Sequence, residues 1–364
     1  MEVQEAGGGG ELGSRAGKEQ AEAEYHSRDF EWEDLRAEVE ADPAFSYHLS
    51  PFPGQAAAAP GTASSPQHPS EAWRCFHRRH ASGKFFKHSG YAALTILSID
   101  QPGYGLFDAT MLERRYLLKE FPELPNSKEC AKILEVGCGN GSTAVSILRS
   151  NESISVFACD CSKDTLEKAN EIISNTKGID VKDRFRPFLM DVSKENFPDW
   201  LFCKAYPSHH KLRKEHPVFL RENQCCVGGM DFVTMIFTLS AIPFTLMPTA
   251  IEQCVSVLKP GGLLLFRDYG LYDMTMLRFL PHQRVGFREY MRSDGTLSYF
   301  FTLDTVRELF LAAGLIELEL EYCCVKSVNR KNGKKMQRVW VHGKFKKKKK
   351  NTKLTLINCS NKAP

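Results

Sequence analysis

The chain has 364 residues, of which 42% are hydrophobic and 25% charged, with a formal net charge of +4. This content can bury one large core with appendages, and so mild a positive charge does not by itself indicate a nucleic-acid partner. No apolar run is long enough to span a bilayer, and the twelve scattered cysteines follow no secretory signal. We therefore expect a reduced, cytoplasmic protein, with the nucleus as a second location and no membrane contact.

The N-terminal part of the chain divides into a tail and a basic module. Residues 1–70 favour a disordered tail, because they are acidic, then rich in Pro and Ala, and only residues 30–39 suggest a short acidic helix. Residues 71–129 are predicted to bind RNA, because the stretch 71–87 alternates aromatic rings with cations. The candidate RNA-binding residues are Arg74, Arg78, Arg79, Lys84, Phe85, Phe86 and Lys87. The alternative is an amphipathic helix that packs its aromatic rings on the core.

Residues 130–345 show the pattern of an α/β domain with a mostly parallel, seven-stranded sheet. Short apolar strands are predicted at 132–136, 154–158, 183–190, 231–238 and 263–267, with helices between them. Two long alternating segments, 316–325 and 337–345, predict an antiparallel pair at the sheet edge. The long loop 199–229 contains Cys and His without the spacing of a zinc site, so we expect no metal. Residues 346–364 are interpreted as a Lys-rich tail.

A glycine-rich turn follows the first predicted strand. Glycines let backbone N–H groups approach a ligand that side chains would block. The spacing G-x-G-x-G after an acidic residue differs from the dinucleotide fingerprint and resembles motif I of the class I, Rossmann-like methyltransferases. That resemblance implies S-adenosylmethionine as the cofactor, with acidic residues at the ends of the next two strands. The candidate cofactor-binding residues are Glu135, Gly137, Cys138, Gly139, Gly141, Asp160, Cys161, Asp191, Val192 and Ile236.

Two further blocks carry a more specific resemblance. They read FRDYGLYDMTMLRF (266–279) and YMRSDGTLSYFF (290–301), and two segments that read FFK and ERRYLLKEFPEL precede the glycine-rich turn. Together they resemble the methyltransferase-like proteins that make N3-methylcytidine in tRNA, over about residues 73–345. The resemblance implies tRNA as the partner, a cytidine of the anticodon loop or in some relatives of the variable loop, and a helper such as an aminoacyl-tRNA synthetase. In that family the two segments nearly adjoin, so we interpret residues 88–112 as an insertion that puts the grip on tRNA in doubt.

The residues after the fifth strand suggest the acceptor chemistry. Cytosine N3 carries a lone pair, so methyl transfer needs alignment more than a base, and a carboxylate would stabilise the positive product ring. We predict catalytic roles for Arg267, Asp268 and Tyr269, with Tyr269 or Tyr272 stacking on the base. The alternative is an internal Arg267–Asp268 ion pair that organises the loop. A second cluster offers the same choice between a site and an ordinary hairpin turn, and it comprises Tyr290, Arg292, Asp294 and Tyr299.

Three functions stay open at this point. The first is a tRNA cytidine N3-methyltransferase, and the second is a methyltransferase of the same fold that acts on a protein or a small molecule. The third is a non-catalytic isoform, in which the insertion 88–112 removes tRNA binding and leaves cofactor binding.

Overall fold

The computed structural model describes residues 28–52, 69–79, 114, 116–176, 179, 181, 183–202, 227–328 and 335–349. Lys84, Phe85, Phe86 and Lys87 lie outside the described residues, as do the insertion 88–112, most of the loop 199–229 and the end of the Lys-rich tail. Within the described ranges, no helix is both long and apolar enough to cross a membrane.

The centre of the domain is a seven-stranded sheet of order β3-β2-β1-β4-β5-β10-β9. Its strands are β1 (Lys132–Val136), β2 (Ser155–Asp160), β3 (Phe185–Leu189), β4 (Met230–Ile236), β5 (Leu258–Tyr269), β9 (Leu315–Val328) and β10 (Lys335–Lys347). The first five pair in parallel and β10 pairs antiparallel with both β5 and β9, which confirms the predicted sheet and its terminal hairpin. The fifth strand begins at Leu258, five residues before the predicted start, because it continues through the Lys-Pro-Gly-Gly stretch at 259–262.

A separate antiparallel sheet precedes the last two strands. It consists of β6 (Arg284–Gly286), β7 (Glu289–Met291) and β8 (Leu297–Tyr299), in that order. The Ser-Asp-Gly turn joins β7 to β8, so the sequence block 290–301 forms the hairpin that was the alternative to a site.

Helices cover both faces of the large sheet. The described helices are α1 (Trp32–Ala41), α2 (Ser46–Leu49), α3 (Pro69–Arg79), α4 (Tyr116–Glu120), α5 (Ser142–Ser150), α6 (Lys163–Ser174), α7 (Met247–Val257) and α8 (Leu303–Ala312). Apolar residues of α4, α5 and α6 share one core with β1 and β2, whereas α7 and α8 pack on the other face. This two-sided burial explains why β1 and β4 read as nearly continuous apolar runs.

Residues 28–52 are folded onto the domain, which corrects the prediction of a disordered tail for this part of the chain. Leu35 and Val39 of α1 are buried in a third core. The Trp32 ring stacks on Tyr322 with ring centroids 4.8 Å apart, and its Nε1 donates a hydrogen bond to the Leu271 carbonyl oxygen at 3.2 Å. The aromatic residues at 30 and 32 thus anchor this helix on the domain. Its acidic composition, taken alone, predicts a helix exposed to solvent.

Candidate active site

The glycine-rich turn between β1 and α5 lies at the carboxyl edge of the parallel strands. Gly137, Gly139 and Gly141 all have left-handed φ angles, of 68°, 54° and 80°. A Cβ added to Gly137 would lie 2.5 Å from Thr238 Cγ2, whereas one added to Gly139 would meet no atom within 4 Å. Gly137 therefore allows the end of β4 to approach, and Gly139 borders open space that a ligand can fill.

Asp160, at the end of β2, holds the glycine-rich turn in place. Its Oδ2 accepts a hydrogen bond from the Gly139 backbone N–H at 3.0 Å, and its Oδ1 accepts one from the Ser162 N–H at 3.0 Å. The carboxylate is buried and lies beside the open space at Gly139. A carboxylate at this position can accept hydrogen bonds from ribose hydroxyls.

The neighbouring titratable groups respond to burial. Burial raises the pKa of the Glu135 carboxyl to about 7, although the charge of Arg114 opposes the shift. Burial raises the pKa of the Cys161 thiol to about 12, and that of the buried Cys138 thiol well above its ordinary value. Both cysteines are therefore neutral thiols at neutral pH.

Asp191 follows β3 and provides the second carboxylate. Its Oδ1 accepts hydrogen bonds from the Ser193 hydroxyl at 2.6 Å and the Ser193 N–H at 3.1 Å, and its Oδ2 accepts one from the Ser70 hydroxyl. Burial alone would raise its pKa, but these hydrogen bonds keep the pKa of Asp191 below the ordinary value. Val192 and Ile236, both buried, supply the apolar part of the predicted cofactor set.

Helix α3 covers the ends of β2 and β3. Arg74 Nε donates to the Cys161 carbonyl oxygen at 2.9 Å, and Arg79 Nη2 donates to the Asp294 carbonyl oxygen in the β7–β8 turn at 3.2 Å. Phe76 is buried, as the amphipathic alternative expects, while Arg78 and Arg79 remain exposed. RNA binding by these cations stays a prediction. The Trp73 indole Nε1 is buried and has no hydrogen-bond partner among the described residues, which suits a site whose ligand is not part of the protein.

Two residues near Tyr269 were not predicted from the sequence. Phe237 follows β4 with a left-handed φ of 55°, and its ring centroid lies 5.1 Å from that of Tyr269. The Arg114 guanidinium carbon lies 5.7 Å from the centre of the Phe237 ring. Arg114 belongs to the ERRYLLKEFPEL block, so the family resemblance of that block could have drawn attention to it. Nothing in the sequence distinguishes Phe237 from other strand residues.

Arg267 and Asp268 are both fully buried. Arg267 forms an ion pair with Glu120 and lies over the Trp340 ring at 4.6 Å. Asp268 accepts hydrogen bonds from the Ser240 and Tyr269 N–H groups, each at 2.9 Å, and burial raises its pKa to about 6. Successive strand residues point to opposite faces of the sheet. The buried ion pair of Arg267 with Glu120 anchors β5 in the core. A direct contact of Arg267 or Asp268 with the acceptor stays a prediction.

The second polar cluster takes part mainly in local structure. Tyr290 and Tyr299 are buried, Arg292 Nη1 donates to the Leu297 carbonyl oxygen at 3.4 Å, and Asp294 Oδ1 accepts from the Thr296 hydroxyl at 2.7 Å.

Among the described residues, no group of three or more His, Cys, Asp or Glu could hold a metal ion. The Cys/His part of the loop 199–229 lies outside that set.

The geometry fits a nucleoside cofactor without a pyrophosphate. Two carboxylates end adjacent parallel strands, an open space adjoins Gly139 between β1 and α5, and a buried indole N–H on α3 has no partner within the described part of the chain. The third glycine of the turn is Gly141, and the position where the dinucleotide fingerprint has its third glycine is occupied by Ser142. The fold and site together define a Rossmann-like methyltransferase.

Comparison with known proteins narrows this class. A family model described as a methyltransferase domain matches residues 111–319. The chain is 36% identical over 253 residues to the tRNA N(3)-methylcytidine methyltransferase Mettl2 of Drosophila melanogaster, covering 67% of this chain and 69% of that protein. It is 33% identical over 245 residues to the human tRNA N(3)-cytidine methyltransferase METTL6, covering 66% of this chain and 75% of that protein. A solved S-adenosylmethionine-dependent methyltransferase from Anabaena variabilis is 14% identical, covers 79% of this chain and all of its own, and aligns with a TM-score of 0.47. The chain belongs to the methyltransferase family that contains Mettl2 and METTL6.

Proposed function

We propose that the protein transfers a methyl group from S-adenosylmethionine to N3 of a cytidine in the anticodon loop of tRNA. The observation that carries the cofactor part is the open space at Gly139, bordered by the Asp160 carboxylate. The substrate part is supported by the names of the relatives and by the FRDYGLYD and DGTLSYFF blocks.

The residues of the cofactor site each have a distinct task. When bound, S-adenosylmethionine supplies a methyl group on a positively charged sulfur. The left-handed glycines bring backbone N–H groups toward the ligand, Asp160 and Asp191 offer carboxylate oxygens to hydroxyl and amino groups, and Trp73 offers its indole N–H. Because α3 lies across the ends of β2 and β3, it also excludes water from this side of the site.

The acceptor side requires positioning more than proton transfer. Cytosine N3 attacks with its lone pair, and the ring gains a positive charge as the bond forms. The Phe237 and Tyr269 rings supply faces against which a flat base can pack. Asp268 fixes the Ser240 segment next to these rings, and its negative charge favours the cationic product. Asp268→Asn should lower turnover while tRNA still binds, and unchanged turnover would remove Asp268 from the mechanism.

The tRNA itself would be bound by exposed cations of the basic module. Arg78 and Arg79 point outward from α3, beside the cofactor site, and phosphate contacts of this kind lose affinity steeply as salt rises. A tRNA-bound protein such as an aminoacyl-tRNA synthetase is the proposed partner, and the cytoplasm, with the nucleus as a second location, is the proposed place of action.

The proposed function is tested by transfer of tritium from labelled S-adenosylmethionine to total tRNA that lacks N3-methylcytidine, followed by nucleoside analysis. The full chain and a variant without residues 88–112 are compared. Label in N3-methylcytidine from both supports the function and shows that the insertion is tolerated. If only the shortened chain transfers label, the insertion prevents the full chain from using tRNA as a substrate. Cofactor binding without label in either would contradict the proposal.

A further inference from the structure

Helix α3 covers one end of the proposed cofactor site and leaves the other end accessible. The Asp160 and Asp191 carboxylates at the ends of β2 and β3 are buried, whereas Gly137 and Gly139 of the glycine-rich turn are partly exposed. At the buried end, the Ser70 hydroxyl of α3 donates a hydrogen bond to Asp191 Oδ2. A nucleoside that reached both carboxylates would therefore lie beneath α3.

The helix is attached to the domain at few points. Of its eleven residues only Ser70, Ala72 and Phe76 are buried, whereas seven of the nine residues of α5 are buried. The ion pair between Arg78 and Asp164 spans 3.9 Å, and the two side chains are 67% and 63% exposed. Such an exposed pair contributes little to stability. Detaching α3 should therefore cost far less free energy than unfolding the sheet.

The far end of α3 is fastened to the turn between β7 and β8. Arg79 Nη2 donates a hydrogen bond to the Asp294 carbonyl oxygen at 3.2 Å. Gly295 of the same turn has a left-handed φ of 84°, and a Cβ added there would lie 3.4 Å from Ala72 Cβ. Helix α3 thus rests directly against this turn, which belongs to the small sheet and lies outside the glycine-rich turn and the ends of β2 and β3.

We propose that α3 is a strap that must leave the β7–β8 turn before a cofactor can enter or leave the site. The proposal rests on the proposed function and adds the control of cofactor exchange at the same site. In the closed arrangement, Ser70 and Arg74 hold the strap on the ends of β3 and β2, and Arg79 fastens it to the turn. Release of the product S-adenosylhomocysteine then waits for the strap to open, as product release waits for lid opening in many enzymes.

The test locks the strap with a reversible bond. The double variant Ala72→Cys with Gly295→Cys brings two Cβ atoms close to the separation of a disulfide, which is about 3.5–4.5 Å. The full-length protein is loaded with tritiated S-adenosylhomocysteine, oxidised and chased with unlabelled ligand, and release is measured before and after reduction. The wild type and the single variant Gly295→Cys, treated in the same way, control for the native cysteines and for strain at the glycine position.

Release from the oxidised double variant should be at least about tenfold slower than from its reduced form, because the open arrangement is no longer reached. Oxidation should leave the release rates of both controls unchanged. Equal rates from the cross-linked and reduced forms would show that the ligand passes along the glycine-rich turn. That result would overturn the strap and leave the proposed function intact, whereas a wild type that binds no S-adenosylhomocysteine would overturn both.

Arg79→Ala tests the same point without a new bond, and it decides the question if the double variant does not cross-link. Losing one hydrogen bond to the turn should accelerate release by about twofold to tenfold. Arg278→Ala, which removes an exposed arginine outside α3, is the matched control and should release at the wild-type rate. RNA is left out, so that a role of Arg79 in RNA binding does not enter. Equal rates from the two variants would show that the turn does not control exchange.

Discussion

Gly139 and Gly314 share a left-handed backbone, with φ angles of 54° and 83°, and a Cβ added to either would meet no atom within 4 Å. The two positions differ in their surroundings, because only Gly139 is hydrogen-bonded to the Asp160 carboxylate of the proposed cofactor site. Alanine at either position should lower the free energy of unfolding by about 1 kcal/mol through backbone strain.

Only Gly139→Ala should affect the cofactor. Its methyl group occupies ligand space, so we expect the Kd for S-adenosylhomocysteine to rise by at least about tenfold, or about 1.4 kcal/mol, while Gly314→Ala binds like the wild type. Isothermal titration calorimetry measures both affinities, and urea unfolding measures both stabilities. Equal affinities of the two variants would remove Gly139 from the site.

Glu135 should make the stability of the domain depend on pH. Its folded-state pKa of about 7 lies above the ordinary value of 4.5 because the carboxyl is buried. The stabilisation that this carboxyl contributes is therefore complete below about pH 4.5 and is lost as the pH rises through 7. Glu135→Gln is neutral throughout, so the wild type should lose stability relative to this variant by roughly 1.4 kcal/mol per pH unit in that interval. Urea unfolding at pH 5 and pH 8 checks this, and a pH-independent difference would contradict it.

Which site residues the sequence could reveal depends on how local their signal is. The glycines of the turn and Asp160 are marked by spacing within a short stretch, and the structure places them together. Ser70 is 121 residues from Asp191, and no pattern in either segment announces their hydrogen bond. Arg267 shows that a local pattern can also mislead. Its neighbour in the sequence is Asp268, which suggested an ion pair between the two, but the structure pairs Arg267 with Glu120, 147 residues away.

Among the elements, α3 links the cofactor site to the small sheet. Ser70 at its start donates a hydrogen bond to the Asp191 carboxylate, and Arg74 donates one to the Cys161 carbonyl oxygen. Arg79 near its end donates a hydrogen bond to the Asp294 carbonyl oxygen. We expect a helix held at both ends in this way to retain a ligand beneath it.

Ser70→Ala should release the cofactor faster. The variant loses one hydrogen bond, which contributes about 0.5–1.5 kcal/mol, so dissociation of S-adenosylhomocysteine should accelerate by between about twofold and about tenfold. Ser256→Ala is the matched control, since the Ser256 hydroxyl bonds within α7 to the Gln253 carbonyl oxygen. Stopped-flow measurement of the dissociation rate decides between them, and identical rates in both variants would show that α3 does not retain the ligand.

The elements themselves follow the sequence closely where hydrophobic periodicity is strong. The two alternating segments predicted at 316–325 and 337–345 correspond to β9 and β10. Strand β9 is longer by one residue at its start and three at its end, and β10 by two residues at each end. Helix α1 was weakly indicated because its acidic residues dominate its composition, and its anchor depends on Trp32 meeting Tyr272 and Tyr322, both more than 200 residues away. The small sheet also depends on such distant contacts.

At the scale of the whole molecule, three parts of the chain converge on the carboxyl edge of the parallel strands. The N-terminal segment packs on the third core, α3 crosses the cofactor site, and the small sheet borders both. The sheet alone defines a methyltransferase fold that accepts many substrates. The added parts surround the cofactor site, and their role in the choice of RNA stays a prediction.

Formation of N3-methylcytidine in tRNA by matched glycine variants tests the central claim most directly. The wild type, Gly139→Ala and Gly314→Ala are each incubated with S-adenosylmethionine and tRNA that lacks the modification, and the nucleosides are quantified. We expect N3-methylcytidine from the wild type and from Gly314→Ala, and at least about tenfold less from Gly139→Ala at limiting cofactor. Equal yields from all three, or methyl groups on any other nucleoside, would contradict the account.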